Sequence, residues 1–212
     1  MNKEILIAIQ DTSVMVLFST IFATILGFIP AIILTLTAKD GLKPNKTIYG
    51  ILDFIINILR SFPFIILMVV LFPLSRILAG TSIGVKAAII PLTIGTAPFI
   101  ARIIENALRE VDKGIIEAAK SFGATDFQII FKVLLKEAIP SIVSGLTLTV
   151  ISVIGYSAMA GAIGAGGLGD VAIRYGYHRN DKQVLIITVI LLIIIVQVLQ
   201  SLGNYLYKRL SK

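Results

Sequence analysis

Few residues in this chain are placed to do covalent chemistry. Gly164-x-Gly166-x-x-Gly169 has the letters of a dinucleotide-binding turn, where glycines let backbone N–H groups approach a pyrophosphate. That chemistry needs a preceding strand. Here the triplet follows a long apolar run, and it reads as a flexible turn closing that run. Gly41-Leu42-Lys43-Pro44-Asn45-Lys46-Thr47 is the nearest string to a phosphate-cradling loop, but it lacks the second Gly and carries a Pro. His178 is the only His and has no second ligand in view, so it reads as a loop residue. With no Cys there is no thiolate metal site and no Cys nucleophile. Ser157 lacks a paired base. Glu105, Glu110, Asp112, Glu117, Asp126 and Glu137 are scattered and matched by bases, whereas an intramembrane lipid transferase would cluster its acids around a metal. No catalytic residue and no metal site is expected. Energy for uphill work must come from a partner or an ion gradient.

The elements that carry these residues belong to a membrane. Of 212 residues 57% are apolar and 15% charged, with mean hydropathy +0.96. A soluble domain carries roughly 25% charge. A water-soluble globule and a disordered chain are both excluded. Residues 12–38, 138–169 and 183–207 are uncharged runs of 27, 32 and 25. About 20 helical residues cross a bilayer core. The middle is less clean: Arg60 and Arg76 bracket only 15 uncharged residues, so a span there must start near Ile48 and carry Asp53 and Arg60 in its first turns. The reading is one transmembrane domain over 1–212, with spans at about 12–38, 48–74, 82–106, 140–164 and 184–207. A polar loop covers about 107–139. Two Pro-Phe-Ile triplets, at Pro63 and Pro98, hint at bends in two helices. The flank Met1–Glu4 is weakly basic and the first run too long for a signal-peptide core, so it reads as a retained helix.

Lys and Arg set the orientation. The 39–47 loop, the 102–137 segment and the tail (with Lys208, Arg209 and Lys212) hold 12, against 6 on the other side. The N-terminus is expected outside and the C-terminus in the cytoplasm. The net charge of +7 then reflects a basic face beside anionic lipid, not a nucleic-acid partner.

The long loop reads as two short helices. Asp112 N-caps the first, over roughly Lys113 to Phe122, and Gly123 suits its left-handed exit. Thr125 opens the second with a capping box to Gln128. Pro140 is expected to break that helix before the fourth span. The pair could dock on a soluble partner or lie on lipid. In the fourth span Ser141, Gly145, Thr149, Ser152, Tyr156 and Met159 recur at spacings of three and four, within about an 80° arc. This small, mildly polar face either lines a route or packs helices closely. Asn57 and Ser61 in the second span are further candidates for the route. Deep carboxylates, which a proton relay would need, are absent.

Glu117-Ala118-Ala119, Gly123, Val133 and Leu135 resemble the cytoplasmic Glu-Ala-Ala loop of ABC-transporter permeases, with matching spacing. Lys136 stands where that pattern has Pro, and Pro140 follows one helical turn later. Ser61-Phe62-Pro63-Phe64-Ile65-Ile66, Gly80-Thr81-Ser82-Ile83-Gly84, Thr96-Ala97-Pro98-Phe99-Ile100-Ala101-Arg102, Gly155-Tyr156-Ser157-Ala158-Met159 and Gly164–Gly169 are similar to the methionine-uptake branch. The resemblance implies an all-α, five-span permease of the type I ABC importers in the bacterial plasma (inner) membrane. It implies a homodimer, two cytoplasmic ATPase subunits that carry ATP and magnesium, and an extracellular or lipid-anchored methionine-binding protein. Glu117, Ala118, Ala119, Ser121, Gly123 and Ala124 would couple to the ATPase; Asn57, Ser61, Ser152, Tyr156 and Met159 would face the substrate. Alternatives are another neutral or polar cargo, an ATP-independent carrier or channel, and an intramembrane enzyme.

Overall fold

The computed structural model describes residues 2–211; Met1 and Lys212, counted in the flanks above, lie outside the described residues. The elements are α1 (Asn2–Thr37), α2 (Lys46–Ser61), α3 (Phe64–Val70), α4 (Phe72–Ala79), α5 (Val85–Arg109), α6 (Lys113–Ser121), α7 (Asp126–Gln128), α8 (Leu135–Ala162), α9 (Gly167–Val171) and α10 (Lys182–Leu210). π-helical turns at Ile129–Leu134 and Ala172–Tyr177 join α7 to α8 and extend α9. Among the described residues four stretches are long and apolar enough to cross a membrane: Lys3–Thr37, Val85–Arg109, Asp126–Ala162 and Lys182–Leu210. In such surroundings only a helix satisfies its own backbone. The hydroxyls of Ser19, Thr35, Thr149 and Thr188 follow the same rule by donating to the carbonyl four residues back.

Small residues set the packing. Along α1 the buried face is Ala8, Thr12, Met15, Ser19, Ala23, Gly27, Ala31 and Leu34, at helical spacing. It lies against α5. The approach is close: a Cβ on Gly27 would fall 2.6 Å from the Ala97 carbonyl oxygen. Packing of this kind, not apolar burial from water, holds helices together in lipid. α5 is the hub, flanked by α1, α8, α3 and α4, while α10 leans on α8. One cluster (Leu34, Ile104, Leu108, Ile129, Leu134) fills the α6 end, and another (Met15, Met68, Leu92, Val153, Ala165) fills the α9 end.

The bend hinted at Pro63 is present, and it breaks the helix over 48–74: α2 and α3 form a pair bent by 99°. Phe62 (φ −69°, ψ 127°) and Pro63 (φ −60°, ψ 126°) are extended there. Pro63 has no N–H, and its ring bars Phe62 from the helical region. Pro140, conversely, does not break its helix, which continues to Ala162. The irregularity is the π-turn one turn earlier. Pro91 and Pro98 likewise sit inside an unbroken α5. Context explains the difference. α5 is enclosed on several sides, whereas Ile56 is the one buried residue of α2, so nothing holds that helix straight across its Pro.

The glycine turn after α8 is packed, not flexible. The Leu168 N–H donates to Thr12 Oγ1 at 2.9 Å, and a Cβ on Gly169 would fall 2.2 Å from the Ala158 carbonyl oxygen.

Candidate functional site

The hairpin at α6 is built by local signals. Asp112 accepts from the Gly114 N–H at 2.6 Å and starts α6. Gly123, at φ +76°, ends it in a conformation that costs other residues strain. The Thr125 N–H donates to Gln128 Oε1 at 2.8 Å, and the Gln128 N–H returns to Thr125 Oγ1 at 3.3 Å, closing the capping box. No residue of α6 is buried. Glu117, Ala118, Ser121 and Gly123 face outward; Ala119 and Ala124 turn inward against the cluster with Ile129 and Leu134. The polar stripe of Gln128, Lys132 and Lys136 is exposed, but Phe127 and Phe131 are exposed beside it, their ring centroids 4.5 Å apart. Sequence reasoning missed Phe122, which stands 91% exposed at the tip of the hairpin. The only signal was a large apolar residue amid polar neighbours.

Behind the hairpin runs a chain of alternating charges that the sequence leaves scattered. Lys113 Nζ meets Asp40 at 3.4 Å, and Asp40 meets Arg109 at 3.2 Å. Arg109 reaches Glu105 at 3.5 Å, whose side chain is fully buried. The Tyr49 hydroxyl donates to Glu105 Oε1 at 3.1 Å. Arg102 then clamps Glu105 at 2.7 Å and Asp53 at 2.6 Å, and donates to Asn57 Oδ1 at 3.3 Å. Asn57 donates back to Asp53 at 3.0 Å. This joint ties the first residue of α6 to the middle of α2 through α5. A bond from its own backbone N–H, together with Arg109 and Lys113, holds the Asp40 carboxyl below its ordinary value, against an opposing push from burial.

The small-residue arc of α8 divides. Its first half packs: Ile103 sits where a Cβ on Gly145 would be, Thr149 is buried, and Ser141 is half-buried. Its second half opens: Ser152 and Met159 are exposed and Tyr156 half-buried. Tyr156 and Met159 line a pocket of about 210 Å³ with Leu59, Arg60, Phe62 and Phe99. The Tyr156 ring stacks on Phe64 at 4.6 Å. Asn57 and Ser61 are not in that pocket. They line an adjoining open groove of about 400 Å³, which shares Phe62 with it. Ser157 is buried and spends its hydroxyl on the Ile154 carbonyl at 2.7 Å. His178 is exposed beside Tyr177.

The structure is a helical domain with stretches able to cross a membrane, an unburied hairpin at one end and a broken helix beside a pocket. The family model "Binding-protein-dependent transport system inner membrane component" matches residues 23–212, and the chain belongs to that family. It is 48% identical over 212 residues to the "Probable D-methionine transport system permease protein MetI" of Vibrio cholerae, covering 100% of this chain and 94% of that one. It is 46% identical over 180 residues to the "Methionine import system permease protein MetP" of Bacillus subtilis, covering 85% and 81%. A solved chain of the MetNI methionine ABC transporter, in an inward-facing form, superposes with a TM-score of 0.98 at 42% identity, covering 100% of this chain and 98% of that one. This chain is therefore a multi-pass permease subunit of an ABC importer, not itself an enzyme.

Proposed function

We propose that two copies of this chain form the pathway through which methionine, as one or both enantiomers, enters the cell. Two cytoplasmic ATPase subunits carrying ATP and magnesium supply the work, and an external methionine-binding protein delivers the cargo. The N-terminus lies outside and the C-terminus in the cytoplasm, as the distribution of Lys and Arg supports. Five membrane crossings follow if the bent α2–α3 pair counts as one.

The observation that carries this reading is the unburied α6 hairpin with Phe122 at its tip. Phe122 is joined by exposed Ile115 and Phe127 on the same hairpin, and exposed apolar surface gathered in this way supports a face that a partner covers. Glu117, Ala118, Ser121 and Gly123 form the docking side with Phe122. Ala119 and Ala124 fasten the hairpin to the core, so a push on α6 moves the Ile129–Leu134 turn and with it α8. Ser152, Tyr156, Met159, Asn57 and Ser61 line the route. The names of the relatives support methionine as cargo.

The test is a Cys placed at Ala118 of the assembled complex, with disulfide crosslinking to Cys residues scanned across the ATPase surface. A crosslink that responds to ATP is expected. Failure at every position would leave the hairpin as a lipid-lying element. Uphill uptake by this subunit alone in vesicles would overturn the whole reading.

A further inference from the structure

Arg60 has no role in the site as described so far. It ends the last turn of α2, one residue before the bend, and its guanidinium lies over the Phe99 ring at 5.1 Å. It has no salt bridge or hydrogen bond to any described residue, and its buried Nε has no acceptor. Arg102, whose Nε likewise lacks an acceptor, is held through its terminal nitrogens by two carboxylates and an amide. Arg60 is half-buried, and a cation set against apolar walls with no counter-charge is stabilised by an anion that enters beside it. Around Arg60 the walls are apolar and aromatic: Leu59, Phe62, Leu67 and Phe99, with Tyr156 and Met159 opposite. Gly95 keeps the floor low, since a Cβ there would press on Leu67 at 3.0 Å.

We infer that Arg60 is the carboxylate-reading group of an amino-acid subsite at the α2–α3 break, with Tyr156 and Met159 receiving the apolar side chain of the cargo. The inference rests on the importer reading above and adds a residue to it. The chemistry matches. A guanidinium presents a planar fork of donors that fits a carboxylate in two parallel bonds. A thioether packs well on sulfur and on aromatic edges. A pocket of about 210 Å³ is below the scale of roughly 300–1,000 Å³ typical of drug-sized ligands and in scale with one amino acid. The neighbouring groove is mostly apolar, and its Ser61 hydroxyl oxygen is the acceptor it offers the ammonium group.

The experiment labels the assembled complex with a diazirine analogue of methionine and, separately, with the carboxamide of that analogue. Labelled peptides are mapped by mass spectrometry. The acid is expected to mark peptides carrying Tyr156, Met159 or Phe99. The carboxamide, on the unaltered protein, is expected to mark them about tenfold less, as loss of a charge-assisted pair implies. Arg60→Gln should reduce labelling by the acid to the same extent. Arg76→Gln, which removes an exposed charge outside the pocket, should not change it. Equal labelling by acid and carboxamide, or labelling elsewhere, overturns the subsite. The carboxamide comparison needs no variant to fold. Uptake of radiolabelled methionine by the unaltered complex is scored separately. Failure there sinks the methionine reading, while the acid-to-carboxamide ratio judges Arg60.

Discussion

Arg102 and Arg60 sit inside the same membrane domain and live in opposite chemistries. Arg102 bridges α5 to α2 through Asp53 and to its own helix through Glu105, and every charge in that joint has a counter-charge. Arg60 faces an aromatic pocket and meets none. The first arrangement fixes geometry. The second leaves a charge unspent for something that arrives from outside. An interior charge therefore has no single meaning in this fold, and its role is read from what surrounds it.

That contrast breaks if both arginines respond alike to removal. Arg102→Met should give the largest loss of stability, because it strands the fully buried Glu105 with the Tyr49 hydroxyl and the more distant Arg109, and leaves Asp53 on Asn57 alone. Removing one partner of a buried pair costs about 3–5 kcal/mol. The expected outcome is a complex that fails to accumulate or melts well below the parent in a thermal-shift assay. Glu105→Gln should follow at about 1–3 kcal/mol, since Tyr49 and Arg102 keep a neutral acceptor. Arg60→Gln should cost no more than about 1 kcal/mol in melting, the worth of its contact over the Phe99 ring, while uptake falls by about tenfold. Equal melting of the Arg60 and Arg102 variants would erase the distinction.

The hairpin sharpens the same point at a surface. Phe122→Ala removes no packing within the chain, since the ring is 91% exposed. Melting of the isolated permease should shift by less than about 0.5 kcal/mol equivalent. ATP hydrolysis coupled to methionine uptake should fall several-fold, measured on the reconstituted complex. Normal stimulation would remove Phe122 from the docking side.

What the sequence revealed follows the range of the interaction. Asp112, Gly123 and the Thr125–Gln128 box all act within a few residues, and the ends of α6 and the start of α7 lie where these residues place them. The Arg102–Asp53 bond joins residues 49 apart, and Tyr49 reaches Glu105 across 56. No window of sequence contains both partners, so the joint was invisible and its acids looked scattered. Proline misled for a related reason. Pro63, Pro98 and Pro140 carry the same local penalty, yet the chain breaks at Pro63 alone; packing around the enclosed α5 keeps it whole across Pro98, and α8 runs on through Pro140 without such an enclosure. The small face of α8 was legible as a face. Its division into a packed half and an open half depends on where Ile103 and the α2–α3 bend fall, which is tertiary information.

The weakest part of the joint is its outer link. Asp40 is partly exposed, with its carboxyl held below the ordinary value by its own backbone N–H and by Arg109 and Lys113. A lowered folded value stabilises the protein above the unfolded carboxyl pKa of about 3.9 and is lost as pH falls through the folded value. Between pH 5 and 8 the link is fully charged in both states and contributes no slope. Asp40→Asn should cost at most about 1 kcal/mol at pH 7, and less in high salt, because solvent screens an exposed pair. The difference in melting between parent and variant should stay flat from pH 8 to 5 and close only below about pH 4. A difference that changed across neutral pH would place a titrating group other than Asp40 in this link, and the joint would then be sensitive to pH where the importer works.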